Sequence, residues 1–322
     1  MTTHHLPATE ATATQVLSRD TPAVLRVDPG DRIVVGSLDA WGHLERQATP
    51  GAPTPYRFPD RRGHALTGPI EVAGTVPGDV LAVRFESLEP DAWGWTTSRR
   101  DENLLRALGV DGADPAWLLW ELDGVAGTGT NQFGHTVLLA PFLGVVGLPP
   151  AEAGEHSTTP PRAAGGGNID CRELTAGSTL YLPVTVPGAL LHLGDGHAAQ
   201  GDGEVGGTAI ECGMTTTVTV DVVRDAPVQS IHAVTPTDRI TFGFDADLNR
   251  ATAEALGAML TWMQQLHGLE RTTALALASS VVDLRVTQIA NRTWGVHAVL
   301  GLDAVGAVGP RLGESGPGGV IS

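Results

Sequence analysis

The sequence predicts a mainly β protein with a smaller α+β part, its sheets arranged as a sandwich or barrel and joined by two C-terminal helices. Three observations carry this. Forty-one glycines and 22 prolines among 322 residues punctuate the chain with turns. Between them lie short runs rich in β-branched residues, such as LYLPVTV at 180–186 and TTTVTVDV at 215–222, the second alternating as a half-buried strand does. Helical spacing is clearest near the C-terminus, where Leu256, Met259, Leu260, Met263 and Leu266 recur three and four residues apart. With 42% of residues hydrophobic, the chain can bury a large core.

Taken in order, residues 1–20 are small and polar and read as a mobile arm. Residues 24–38 read as a strand pair about Pro29-Gly30-Asp31, and 64–85 as two more strands about Pro77-Gly78-Asp79. Between them, 41–63 holds Trp41, His43 and three arginines in a long loop, a lid or interface arm by its length. A short helix is expected near 102–108, and strands at 117–122 and 136–146. Trp41, Trp93 and Trp95 are read as core or interface packing, and His156 as a solvated loop residue. A strand pair follows at 231–244. Asp247 then caps a helix running to His267, and Gly268 stops it. A second helix starts at Thr272 or Thr273 and runs to 282–284, with Asp283 and Arg285 as an element-end charge pair. The last strand is 296–302. The expected organisation is an arm (1–20), an N-terminal β subdomain (21–150), a metal-site β region with the α+β part packed onto it (151–308), and a loose tail (309–322).

Composition excludes several classes of function. A net charge of −16 argues against nucleic acid and anionic membrane as partners. No apolar run approaches the roughly 18 residues of a spanning helix. The opening MTTHHLPATEATATQ lacks a basic region followed by an apolar one, so no signal peptide is expected, and two cysteines make no disulfide framework. The expected compartment is the cytoplasm. All 20 basic residues are arginine, which rules out Schiff-base chemistry and the lysine-dependent amidases and nitrilases.

The chemistry concentrates in HLGDGHAAQGDGEVGGTAIE, residues 192–211. His192, Asp195, His197, Asp202 and Glu204 fall within thirteen residues, and Glu211 closes the stretch. The glycines among them allow positive φ, hence sharp turns that crowd side chains together. A mixed imidazole and carboxylate set suits zinc, manganese or a similar ion. Calcium fits poorly with two histidines and no EF-hand spacing. A plain polar turn is the third reading. Gly165-Gly166-Gly167-Asn168-Ile169-Asp170 supplies a second glycine turn, read as another wall of the same site.

PFLGVVGLPPAEAGEHSTTPPRAAGGGNIDCREL, GSTLYLPVTVPGALL and GDGHAAQGDGEVGGTAIE together resemble the acetamidase/formamidase family. The likeness extends to SLDAWG (37–42), LTGPIEVAGTVPGDVLAVRF (66–85) and VVDLRVTQIANRTWGVHAVL (281–300). It implies hydrolysis of small amides such as formamide or acetamide to a carboxylate and ammonia. It also implies a zinc site, a homo-oligomer, and relatives that open γ-lactams. On this reading Asp170, Asp195 and His197 hold the metal. Glu204 is the general base, with a ligand role left open, because spacing does not say which carboxylate touches the ion. Asp202 and Gln200 orient substrate or ligands, and Asn168 donates to the developing oxyanion. The competing readings are hydrolysis of a γ-lactam or larger cyclic amide, and a non-catalytic metal-stabilised β protein that binds a small molecule.

Overall fold

A computed structural model describes residues 1–98, 102–110, 112–226 and 228–306, so the expected tail at 309–322 lies outside the described residues. The architecture is mainly β, as expected, and neither large sheet closes into a barrel. The first sheet orders nine strands as Thr3–Leu6, Arg32–Ser37, Met214–Val223, Val80–Pro90, Thr179–Pro183, His232–Val234, Asp238–Asp245, Trp294–Gly301 and Val282–Gln288. The second is built around Leu191–His197, which pairs with Phe142–Gly147, Leu66–Val72 and Glu211–Cys212. Each sheet takes strands from both sides of residue 150.

The two Pro-Gly-Asp turns do something the sequence did not announce. Leu25–Val27 pairs with Leu66–Val72 in the second sheet, whereas Arg32–Ser37 lies in the first. Leu66–Val72 and Val80–Pro90 divide in the same way. The expected hairpins are therefore corners that carry the chain between sheets. Asp31 fixes the first corner by accepting the backbone N–H groups of Thr2 and Asp28 and by pairing with His4 at 3.0 Å. Asp79 fixes the second by accepting the Val76 N–H. The opening residues are likewise paired: Thr3–Leu6 runs parallel to Arg32–Val35.

One core fills the space between the sheets. Ile33, Val35, Val83 and Phe85 come from the first sheet, and Ile70, Leu143, Val146 and Leu193 from the second. The helices behave as their periodicity predicts. Leu248–His267 begins at Asp247, whose carboxylate accepts the Asn249 N–H, and stops at Gly268 in the left-handed conformation. It buries Ala251, Ala255, Met259 and Met263 against Val296, Ala298 and Leu300. Arg271–Val281 follows, then passes directly into Val282–Gln288, which ends the helix earlier than the sequence suggests. Arg285 pairs with Glu173 rather than with Asp283. No helix among the described residues is long and apolar enough to cross a membrane.

Candidate metal centre

The acidic stretch begins as a strand, not a loop. Leu191–His197 is buried along its whole length. Gly194 and Gly196 do not take positive φ there; they are small because neighbours press close. A Cβ on Gly194 would stand 2.8 Å from the Ala65 carbonyl oxygen, and one on Gly196 2.6 Å from that of Cys212. Positive φ falls on the acids as well as on Gly203 and Gly207: φ is 62° at Asp195, 52° at Asp170 and 42° at Glu204. Non-glycine residues there are uncommon and often mark functional sites.

Five buried side chains converge. Ligand-type atoms of Asp170, Asp195 and His197 lie within 4.8 Å of one another, and so do those of His197, Glu204 and Glu211. Each arrives by a different route. The glycine turn lets Gly166–Asn168 run against Val145–Gly147 so closely that a Cβ on Gly147 would meet Gly167 Cα at 2.7 Å. Beyond that turn, the Asp170 N–H donates to the Gly144 carbonyl at 3.2 Å. Glu211 stands directly across the ladder from His197. Glu204 follows Gly203, which exchanges backbone hydrogen bonds with Thr287 and Ile289. The C-terminal strand Val282–Gln288 thus anchors the turn that carries Glu204.

His197 is held in a defined tautomer. Gln200 Nε2 donates to the Asp170 carbonyl at 2.7 Å, so its Oε1 is the atom facing His197 Nδ1 at 2.9 Å and must accept that N–H. His197 Nε2 then faces the acids, 3.4 Å from both Asp195 Oδ1 and Glu211 Oε1. Both Asp170 carboxylate oxygens, Asp195 Oδ1 and Glu211 Oε2 are buried with no hydrogen-bond partner among the described residues. Burying that much negative charge is costly without a compensating cation. Burial, then Glu204 and Asp195, push the Asp170 carboxyl well above its ordinary range. Burial raises Glu211 to about 8, with Asp195 and Glu204 adding to it against the pull of His197. On His197 burial works against the charged ring, but Glu211 and Asp195 together outweigh it and lift its pKa well above 6.5. Burial opposes ionisation of Asp195 too, yet His64 and His197 hold it below the usual carboxylate range.

Asp202 and Asn168, expected at the site, lie outside this cluster, and so do His192, His156 and Trp95. Asp202 is exposed. Asn168 stands opposite Val145, one residue past Gly144, so the strand alternation turns it to the other face of the sheet. His192 is buried, with Nδ1 2.9 Å from the Leu190 carbonyl, and burial lowers its pKa to about 4. His156 is half-buried, its Nε2 3.1 Å from the Glu152 carbonyl. Trp95 is fully buried among Trp41, Trp117 and His43, as packing rather than as a pocket wall.

Three contributors had no role in the sequence reading. Glu211 was visible only as the last acid of the stretch. His64 places Nε2 3.9 Å from Asp195 Oδ2 on the more open side. Gly144 forms the floor: a Cβ there would stand 2.5 Å from Asp195 Oδ2, 2.6 Å from Asp170 Oδ1 and 2.9 Å from His197 Cε1.

The chain is similar to several known proteins. The formamidase of Methylophilus methylotrophus is 25% identical, over 68% of this chain and 68% of its own. The acetamidase structure from Bacillus halodurans superposes with a TM-score of 0.82 at 26% identity, covering 92% of this chain and 97% of that one. The acetamidase structure from Yersinia enterocolitica gives 0.80 at 28% identity, covering 93% and 92%. A profile described as the Acetamidase/Formamidase family matches residues 5–155 and 151–299. The chain belongs to the acetamidase/formamidase family and is an amidohydrolase acting on linear amides.

Proposed function

We propose that His197, Asp195 and Asp170 would hold a zinc ion, with Glu211 beside it, and that three protein ligands would leave a position for the water that hydrolyses the amide, with Glu204 as general base. The observation that carries this is the spacing about His197 Nε2. Two ligand atoms on one tetrahedral zinc at about 2.0–2.1 Å stand roughly 3.3–3.4 Å apart. The 3.4 Å separation from Asp195 Oδ1 matches that edge and is long for a hydrogen bond, and Glu211 Oε1 lies equally near Nε2. The unpartnered carboxylate oxygens beside them are acceptors suited to such an ion.

Zinc in such a site supplies Lewis acidity, polarising a carbonyl and bringing the pKa of water near neutrality. The protein supplies the rest. Gln200 keeps the proton on His197 Nδ1, which leaves the Nε2 lone pair for coordination. Glu204 is the carboxylate of the cluster that also lines the open groove beside it. It is therefore positioned to accept a proton from attacking water and return it to the departing nitrogen. The amide C–N bond breaks, the carbonyl carbon gains oxygen, and ammonia leaves with the transferred proton. A homo-oligomeric, cytoplasmic enzyme completes the reading. Its two buried unpaired cysteines suit a reducing compartment, and light scattering measures the assembly.

The test is metal analysis beside ammonia release from formamide, acetamide and a γ-lactam, with and without chelator. Glu204→Gln should keep its zinc and fold while turnover falls by about 10²–10⁴. Undiminished ammonia release from that variant would remove Glu204 from the reaction. A fully active chelated enzyme would remove the ion.

A further inference from the structure

The catalytic cluster opens into a groove larger than a minimal amide requires. The open groove has a volume of about 450 Å³ and is lined by Trp120, Val137, Leu138 and Val205 together with Gln200 and Glu204. Formamide or acetamide fills the space of two or three waters, about 60–90 Å³. Sites of about 300–1,000 Å³ hold much larger ligands.

The walls present carbon. The Trp120 indole N–H donates to Thr96 Oγ1 at 3.0 Å, and that hydroxyl donates to the Ala209 carbonyl at 2.7 Å. Thr208 Oγ1 donates to the Thr97 carbonyl and accepts the Thr97 N–H. Gln200 uses both ends of its amide on His197 and Asp170. Among the described lining residues Glu204 is the one ionisable side chain, and it sits at the catalytic end. In the same lining Leu138 and Val205 are 80% and 66% exposed, an uncommon amount of bare aliphatic surface beside an active site.

We propose that this groove receives the acyl substituent of the substrate, so that the preferred class is primary amides of bulky apolar carboxylic acids. This rests on the hydrolytic reading above. The amide lies against Glu204 and the chain packs on Trp120, Val137 and Leu138. Water and the amide give the carboxylate and ammonia, as for any primary amide, and the apolar tail alone sets the preference.

The test compares kcat/KM of the metal-replete enzyme across formamide, acetamide, butyramide, hexanamide and phenylacetamide. Each methylene that enters the groove should raise kcat/KM about fourfold, or roughly two orders of magnitude from acetamide to hexanamide. Leu138→Asp alters an exposed side chain, and its thermal midpoint reports whether it folds. It should cut the hexanamide-to-acetamide ratio at least fivefold. A series that is flat or declines with length overturns the inference while leaving amide hydrolysis intact. So does Leu138→Asp that splits an oligomer without moving the ratio, because the groove then belongs to a second copy. If no amide in the series is cleaved, the hydrolytic reading fails, and titration of hexanamide against tryptophan fluorescence still decides the groove. Saturable quenching that Leu138→Asp weakens supports it, and no quenching refutes it.

Discussion

Gly144→Ala probes the proposed metal centre without touching any group that does chemistry. Gly144 has no positive φ, so alanine strains no backbone there. Its methyl group would nevertheless enter the floor of the cluster. Taking 3.4 Å as the near limit of ordinary contact, Asp195 Oδ2 must retreat from 2.5 Å and Asp170 Oδ1 from 2.6 Å, displacements of about 0.9 and 0.8 Å. A metal site tolerates errors of about 0.2 Å in ligand position. These side chains are buried on every side, so the methyl group and three ligands cannot all be accommodated. Overpacking of this kind costs about 1–3 kcal/mol. The expected result is a folded protein with a modestly lower thermal midpoint, zinc content well below one per chain after dialysis, and ammonia release reduced at least a hundredfold. The measurements are elemental analysis, calorimetry and an ammonia assay on one preparation. Full zinc and full turnover in Gly144→Ala would mean that Asp170, Asp195 and His197 do not meet where the structure puts them.

Gln200→Ala removes the acceptor that fixes the His197 tautomer and should cost about 10–100-fold in zinc affinity or activity, read by competition with a chromophoric chelator. Gln200→Glu should recover only part of that loss, since it restores the acceptor for His197 but sets a carboxylate oxygen against the Asp170 carbonyl. In chelated protein, Glu211 keeps its proton to about pH 8 when folded but to about 4.5 when unfolded. The folded state therefore binds more protons across that window, and stability falls as pH rises through it, by at most about 5 kcal/mol. Asp170 and His197, also raised when folded, act in the same direction. Denaturation of chelated protein at pH 5 and pH 8.5 should show this decline, and zinc should abolish it because the ligands are then held deprotonated. A metal-free protein equally stable at both pH values would contradict the clustering of these acids. The acid limb runs oppositely. His192 is held neutral with a pKa near 4, so its contribution is complete above about 6.5 and is lost as pH falls through 4. His192→Asn should flatten the acid side of the stability profile.

What the sequence determined alone was local. The alternation in 215–222, the spacing of Met259 and Met263, the Asp247 cap and the Gly268 stop are all properties of neighbouring residues, and each element formed as read. So is the clustering of Asp195, His197 and Glu204 within a few residues, which marked the site before any fold existed. Tertiary structure decided which residues stand together, because that depends on strand partners far apart in the chain. The Pro-Gly-Asp turns looked like hairpins, since a turn's chemistry does not disclose whether its two strands will pair with each other or with other sheets. Asn168 and Asp170 look equivalent in sequence, but ladder register turned one away from the site and brought the other in. Asp202 and Glu204 are two residues apart, yet the bond from Gly203 to the C-terminal strand leaves the first in solvent and the second buried. Gly144 carries no functional group at all. Only three side chains arriving from elsewhere make the absence of its Cβ matter.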